Sequence, residues 1–162
     1  MNYKLIKSKN NLFYKKLKKI YSSSSFRKEQ NQTILDGPHL IQSFFQHSVP
    51  AAIIKDLGIE TLEVENLISS LNCPCYSLSH ELFLQLSELK SSTGILALVD
   101  IPKPKLLKSN GLILLLDGIQ EPGNLGSILR TAKATNTNSI ILSKTCADLW
   151  SPKTLRGSQG VQ

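Results

Sequence analysis

Apolar residues recur along this chain with two periods, and their alternation predicts a layered α/β protein. Residues 11–21, NLFYKKLKKIY, set Leu12, Phe13, Leu17 and Ile20 at near-helical spacing with lysines between them, which predicts a short amphipathic helix. SSSSFRKEQ, residues 22–30, is polar and reads as a break. A short strand is expected at 33–35, a turn at Asp36-Gly37-Pro38, and then a helix whose apolar stripe is Leu40, Ile41, Phe44 and Phe45. AAIIKD reads as a buried strand, TLEVENLISSLN (61–72) as a helix and CYSLS (75–79) as a strand. HELFLQLSEL (80–89) is a helix, and GILALVDIP (94–102) is a strand closed by proline. Such alternation makes a small α/β layer domain.

PKPKLLKSN, residues 102–110, holds two prolines and three lysines and reads as a solvated, stiffened linker. Beyond it come strand GLILLLDG, a helix over about 124–135, and strand SIILS (139–143), a β-α-β unit expected to be parallel. In DLWSPKTLRGSQGVQ, Ser151 is a good helix N-cap and Pro152 a good first helical residue. The domain expectation is therefore 1–101, a linker at 102–110, and 111–162. One β-α-β unit exposes both faces of its sheet, so the second part is expected to lean on other protein, or to lack the rest of its domain.

Charge adds a direction. Nine Lys or Arg and no acid fall within the first 28 residues, whereas the remainder carries ten basic and twelve acidic residues. A basic end on a near-neutral body suits a polyanion partner, and Lys15, Lys16, Lys18, Lys19, Arg27 and Lys28 are the candidate RNA contacts. Tyr14 and Tyr21 beside them allow base stacking. The bland alternative is a solvated terminus. No apolar run nears the roughly 18 residues of a membrane span, and the basic start lacks a signal peptide's apolar block, so a cytoplasmic protein is expected. Cys73, Cys75 and Cys146 have neither disulfide-framework nor zinc spacing, so no metal is expected.

The densest chemistry lies in LDGIQEPGNLGSILRTA, residues 116–132. Ligands of parallel α/β sheets bind beyond the carboxyl ends of the strands, where Asp117-Gly118 and the EPGN stretch fall. Pro122-Gly123 fits a tight turn with Gly123 at positive φ, and Asn124 fits a helix cap. Leu125, Ile128, Leu129 and Ala132 would face the sheet, leaving Arg130 outward. A helix start with one outward Arg is a plausible phosphate corner, although no phosphate loop or dinucleotide fingerprint is present. GNLG is a short match to the G-x-x-G clamp of one RNA-binding module.

This stretch resembles the first signature motif of the SpoU/TrmH group of RNA ribose 2′-O-methyltransferases, of the SPOUT class: an apolar strand, D-x-[IV]-x-[DE]-P-x-N-x-G, an apolar pair and R-T-A. SSFRKEQNQTILDGPHLIQSFFQ and LSELKSSTGILALVDIP are similar to the start and last strand of the family's amino-terminal substrate-binding domain, which resembles ribosomal protein L30e, with Asp36 where glutamate is usual. WSPKTLRGSQGV is similar to the family segment after the second catalytic-domain strand. The resemblance implies an α/β fold with a small L30e-like domain and the first part of a SPOUT (α/β-knot) domain. It implies methyl transfer from S-adenosylmethionine to a ribose 2′-hydroxyl of rRNA or tRNA, with Arg130 and Asn124 as catalytic residues. The family's later motifs, which form the knotted donor pocket and much of its homodimer interface, have no match here. The expectation is a truncated member unable to hold the donor alone; the alternative is a non-catalytic RNA-binding protein.

Overall fold

A computed structural model describes residues 3–46, 48–87, 92–104 and 110–162. The chain forms two compact units, Met1–Ile101 and Pro102–Gln162.

The first unit runs β1 (Lys4–Ile6), α1 (Leu12–Ser22), α2 (Ser24–Gln30), β2 (Gln32–Asp36), α3 (Pro38–Phe45), β3 (Ala52–Asp56), α4 (Leu62–Ser70), β4 (Cys75–Leu78), α5 (His80–Leu86) and β5 (Ile95–Asp100). Its five-stranded sheet has the order β1-β4-β3-β5-β2. Strands β1, β4 and β3 are parallel, and β5 lies antiparallel to both β3 and β2. Strand β3 is buried at every position and β5 at all but its last, the signature of strands covered on both faces. On one face Ile34, Ile54, Leu96 and Leu98 meet Tyr14, Leu17 and Ile20 of α1 and Leu82, Phe83 and Leu86 of α5. The alternate residues Ile53, Ile95, Ala97 and Val99 are equally buried on the opposite face, where α3 packs on β2 and β5 and against α4. Lys55 is tolerated inside β3 because Glu65 accepts its ammonium, and that hydrogen bond raises the lysine's pKa above the ordinary value.

Two elements differ from expectation. The polar stretch at 22–30 is a helix, α2, because Ser23 caps it by accepting from Phe26 N–H at 3.3 Å and Asn31 closes it in the left-handed conformation at φ 50°. Strand β1 is too short to show a period, and it is fixed instead by pairing with β4, Lys4 opposite Tyr76 and Ile6 opposite Leu78. The end of the helix expected at 80–89 and most of the linker expected at 102–110 lie outside the described residues.

The second unit contains β6 (Ile113–Leu116), α6 (Pro122–Ala134), β7 (Ser139–Leu142) and α7 (Pro152–Ser158). Strands β6 and β7 are parallel, Ile113 opposite Ser139 through Leu116 opposite Leu142. One sheet face is covered: Leu114, Leu116, Ile140 and Leu142 pack with Leu125, Ile128 and Leu129 of α6. The other is open, with Ile113 42% and Leu115 69% exposed. No helix among the described residues is long and apolar enough to cross a membrane.

Candidate active site and nucleic-acid surface

The loop after β6 differs from its expected form in a way that decides what Asn124 is for. Glu121, not Asn124, caps α6: its Oε2 accepts the backbone N–H of Asn124 at 2.9 Å, with Pro122 in the first turn. Gly123 is helical, and the positive φ falls on Gly118 at 65°, immediately after Asp117. Freed from capping, the Asn124 side chain is exposed and makes no hydrogen bond among the described residues. Ser127 and Arg130 follow it at successive i+3 positions, both exposed, so the three form one slanting ridge about 9 Å long. Arg130 has no acidic partner among the described residues. An exposed guanidinium without an acidic partner among the described residues suits an oxyanion arriving from outside.

The ridge stands on a rigid base. Lys153 of α7 donates to Glu121 Oε1 at 2.5 Å, and this bond, with the Asn124 N–H, holds the Glu121 carboxyl below the ordinary carboxylate range. Ser151 caps α7 as expected, accepting from Thr154 N–H at 3.1 Å. Helices α6 and α7 cross at glycines. A Cβ on Gly126 would lie 2.7 Å from the Thr154 carbonyl oxygen and 2.8 Å from the Gly157 backbone. GNLG therefore lets two helix backbones touch and is not a phosphate clamp. The loops after the two strands are laced together: Asp117 Oδ1 accepts from Thr145 Oγ1 (3.3 Å), Gly118 N–H donates to Ser143 Oγ (3.3 Å), and Ala147 N–H donates to Ile119 O (2.7 Å).

In the first unit the basic residues divide. Lys15, Lys18, Lys19 and Lys28 are exposed and Lys16 half-exposed, and the four α1 lysines line one shallow groove with Lys9. Arg27 corrects the expectation. It is only 4% exposed, and its guanidinium donates to the Ile20 and Tyr21 carbonyls at the end of α1 (2.7 and 2.9 Å), so it locks α2 to α1. Neither tyrosine can stack on a base: Tyr14 is buried and donates to Leu82 O, and Tyr21 donates to Asp36 Oδ2 at 3.1 Å. The buried Asp36 also accepts from Ser87 Oγ and Thr93 Oγ1, which completes a three-hydroxyl cradle for its carboxylate. Burial pushes the Cys73 thiol up to about 11, which keeps it from acting as a thiolate. No group of three metal-ligating side chains occurs among the described residues.

S-adenosylmethionine would need an enclosed pocket with a few convergent polar groups. The second unit offers an open groove along α6 lined by Leu112, Leu114, Ile128 and Thr131, and its strand-end polar groups are bonded to one another. The described residues of this unit do not by themselves form an enclosed pocket of that kind.

Residues 111–162 match the model of the SpoU rRNA Methylase family. The chain is 32% identical over 159 residues to the 23S rRNA (guanosine(2553)-2′-O)-methyltransferase RlmP of Bacillus subtilis, covering 97% of this chain and 61% of RlmP. It is 30% identical over 157 residues to the human mitochondrial rRNA methyltransferase 3, covering 87% of this chain and 36% of that protein. A crystal structure of an RNA 2′-O ribose methyltransferase superposes with a TM-score of 0.82 at 26% identity, over 97% of this chain and 62% of that one. The SpoU methyltransferase AviRb of Streptomyces viridochromogenes, solved with AdoMet, shares the fold with a TM-score of 0.85 at 23% identity, over 94% of this chain and 60% of that one. The chain thus spans less than two thirds of the length of each.

Proposed function

We propose that this chain serves the S-adenosylmethionine-dependent 2′-O-methylation of ribose in rRNA or tRNA, in the cytoplasm, and that it supplies the RNA-handling side of the reaction. On this reading residues 1–101 are an L30e-like RNA-binding domain, 102–110 a linker, and 111–162 the first part of a SPOUT domain whose knot lies outside these residues. The observation that carries the reading is the exposed ridge Asn124–Ser127–Arg130, whose arginine has no acidic partner among the described residues. A ribose 2′-hydroxyl is a poor nucleophile and must be positioned and lose its proton. Arginine stays protonated, so Arg130 is no general base. It grips a phosphate beside the target ribose, Asn124 orients the sugar, and the proton leaves to water or a substrate oxygen. The α1 lysines hold flanking phosphates.

The second reading, a non-catalytic RNA-binding protein, draws on the absence of an enclosed donor pocket among the described residues of the second unit. Mapping 2′-O-methyl ribose in rRNA and tRNA from cells separates the two. Cells without this gene, and cells carrying Arg130→Ala at normal protein level, are expected to lose the same mark. A mark that survives Arg130→Ala retires the catalytic reading. For binding, replacing Lys15, Lys16, Lys18 and Lys19 with Gln is expected to lower the slope of log affinity against log salt by roughly 3. An unchanged slope removes the α1 lysines from the interface.

A further inference from the structure

At the carboxyl ends of β3 and β4 lies a polar cluster that neither the hydrophobic core nor the α6 ridge uses. Asp56, the last residue of β3, has a fully buried side chain. Its Oδ1 accepts the Gly58 N–H at 2.8 Å, and its Oδ2 meets His80 Nδ1 at 2.9 Å and Ser92 Oγ at 3.1 Å. His80 opens α5 with its side chain 49% exposed. An ionised carboxylate only accepts, so the facing Nδ1 carries the proton, and in the neutral ring Nε2 is left as an acceptor. That nitrogen has no hydrogen-bond partner among the described residues. Gly58 makes room for the ring: a Cβ there would stand 2.7 Å from His80 Cγ and Nδ1. A surface histidine with only water to meet needs no buried carboxylate to set its tautomer and no glycine cut out beneath it.

The cluster also borders the basic surface. Lys9, just beyond β1, lies 3.7 Å from Glu81, the neighbour of His80, and lines the same groove as the α1 lysines. Because β1, β4 and β3 are parallel, their carboxyl ends share one edge, the usual ligand-binding edge of such sheets.

We infer that His80 reads the sugar of bound nucleic acid: its Nε2 accepts a ribose 2′-hydroxyl from a strand whose phosphates lie on Lys9 and the α1 lysines, with Asp56 as the positioning residue. The step rests on the RNA-binding reading above and adds a source of discrimination to it. A phosphate oxygen only accepts and is turned away by the Nε2 lone pair. A 2′-hydroxyl donates, and deoxyribose has none.

Fluorescence anisotropy of the full 162-residue chain with a labelled single-stranded RNA and the DNA of the same sequence tests this. The wild-type chain is expected to favour RNA by about fivefold, the scale of one net hydrogen bond. His80→Ala is expected to remove that preference by weakening RNA alone and leaving DNA affinity unchanged. Gly58→Ala and Asp56→Asn, which disturb the ring without removing it, are expected to reduce the preference in part. Lys15→Gln with Lys16→Gln is expected to weaken both nucleic acids equally and keep the ratio. A preference that persists in His80→Ala, or is absent from the wild type while RNA still binds, overturns the inference alone. Failure of both nucleic acids to bind overturns the RNA reading as well.

Discussion

The two units solve the same problem, a parallel strand pair needing cover, with opposite degrees of closure. In the first, β3 and β5 are buried from both sides, and the polar groups within are satisfied by design-like partnerships such as Asp36 with three hydroxyls and Arg27 with two carbonyls. In the second, the sheet has two strands and one bare apolar face, and order comes from helix crossing and loop lacing. The difference teaches where tolerance to change should lie. A closed unit resists core truncation with a large loss; an open one depends on a few close backbone approaches.

The sharpest way to break the comparison is Phe83→Ala. This ring is fully buried against α1 and the sheet, and its removal is expected to destabilise the first unit by about 3–5 kcal/mol, read as a shift of its denaturant midpoint. Gly126→Ala comes next. The methyl meets backbone rather than a movable side chain, so a loss of roughly 1–3 kcal/mol is expected in the second unit alone, with hydrogen exchange accelerated in α7. Leu115→Ser should change stability by less than about 0.5 kcal/mol if the bare face is solvent-exposed; a loss above about 1.5 kcal/mol would show that something covers it in solution.

The smallest effect belongs to Glu121. Its carboxyl is depressed in the folded chain by Lys153 and the Asn124 N–H. Its contribution is therefore present above the unfolded carboxylate range, near pH 4.3, and is lost as pH falls through the lower folded value. Melting curves from pH 6 to 3 should show an acid-side decline that Glu121→Gln slightly reduces. A variant that keeps the full decline would assign it to other carboxylates.

Much of this was legible in the sequence where period and punctuation agree. The stripe in 11–21, the Pro-opened helices at 38 and 152, and the apolar runs of β3, β5 and β6 each state their own structure. What was not legible depends on partners distant in the chain. Strand β1 exists because β4 receives it, and Arg27 is buried because α1 ends where its guanidinium can reach. Glu121 displaced Asn124 as cap because the acid, three residues before that N–H, is braced by Lys153 from α7. The paired glycines at 126 and 157 carried a signal, two small residues on facing helices, but only the fold shows that they meet. Asp56 and His80 are 24 residues apart, and no local pattern joins them.

One placement has an optical consequence. The single tryptophan, Trp150, lies in the second unit, half-buried ahead of α7, while all four tyrosines, Tyr3, Tyr14, Tyr21 and Tyr76, lie in the first. Excitation at the red edge of aromatic absorption therefore addresses the second unit by itself, and tyrosine emission comes only from the first. The chain carries an intrinsic two-colour reporter, in which a single melt can record whether the closed unit and the open one let go together or in turn.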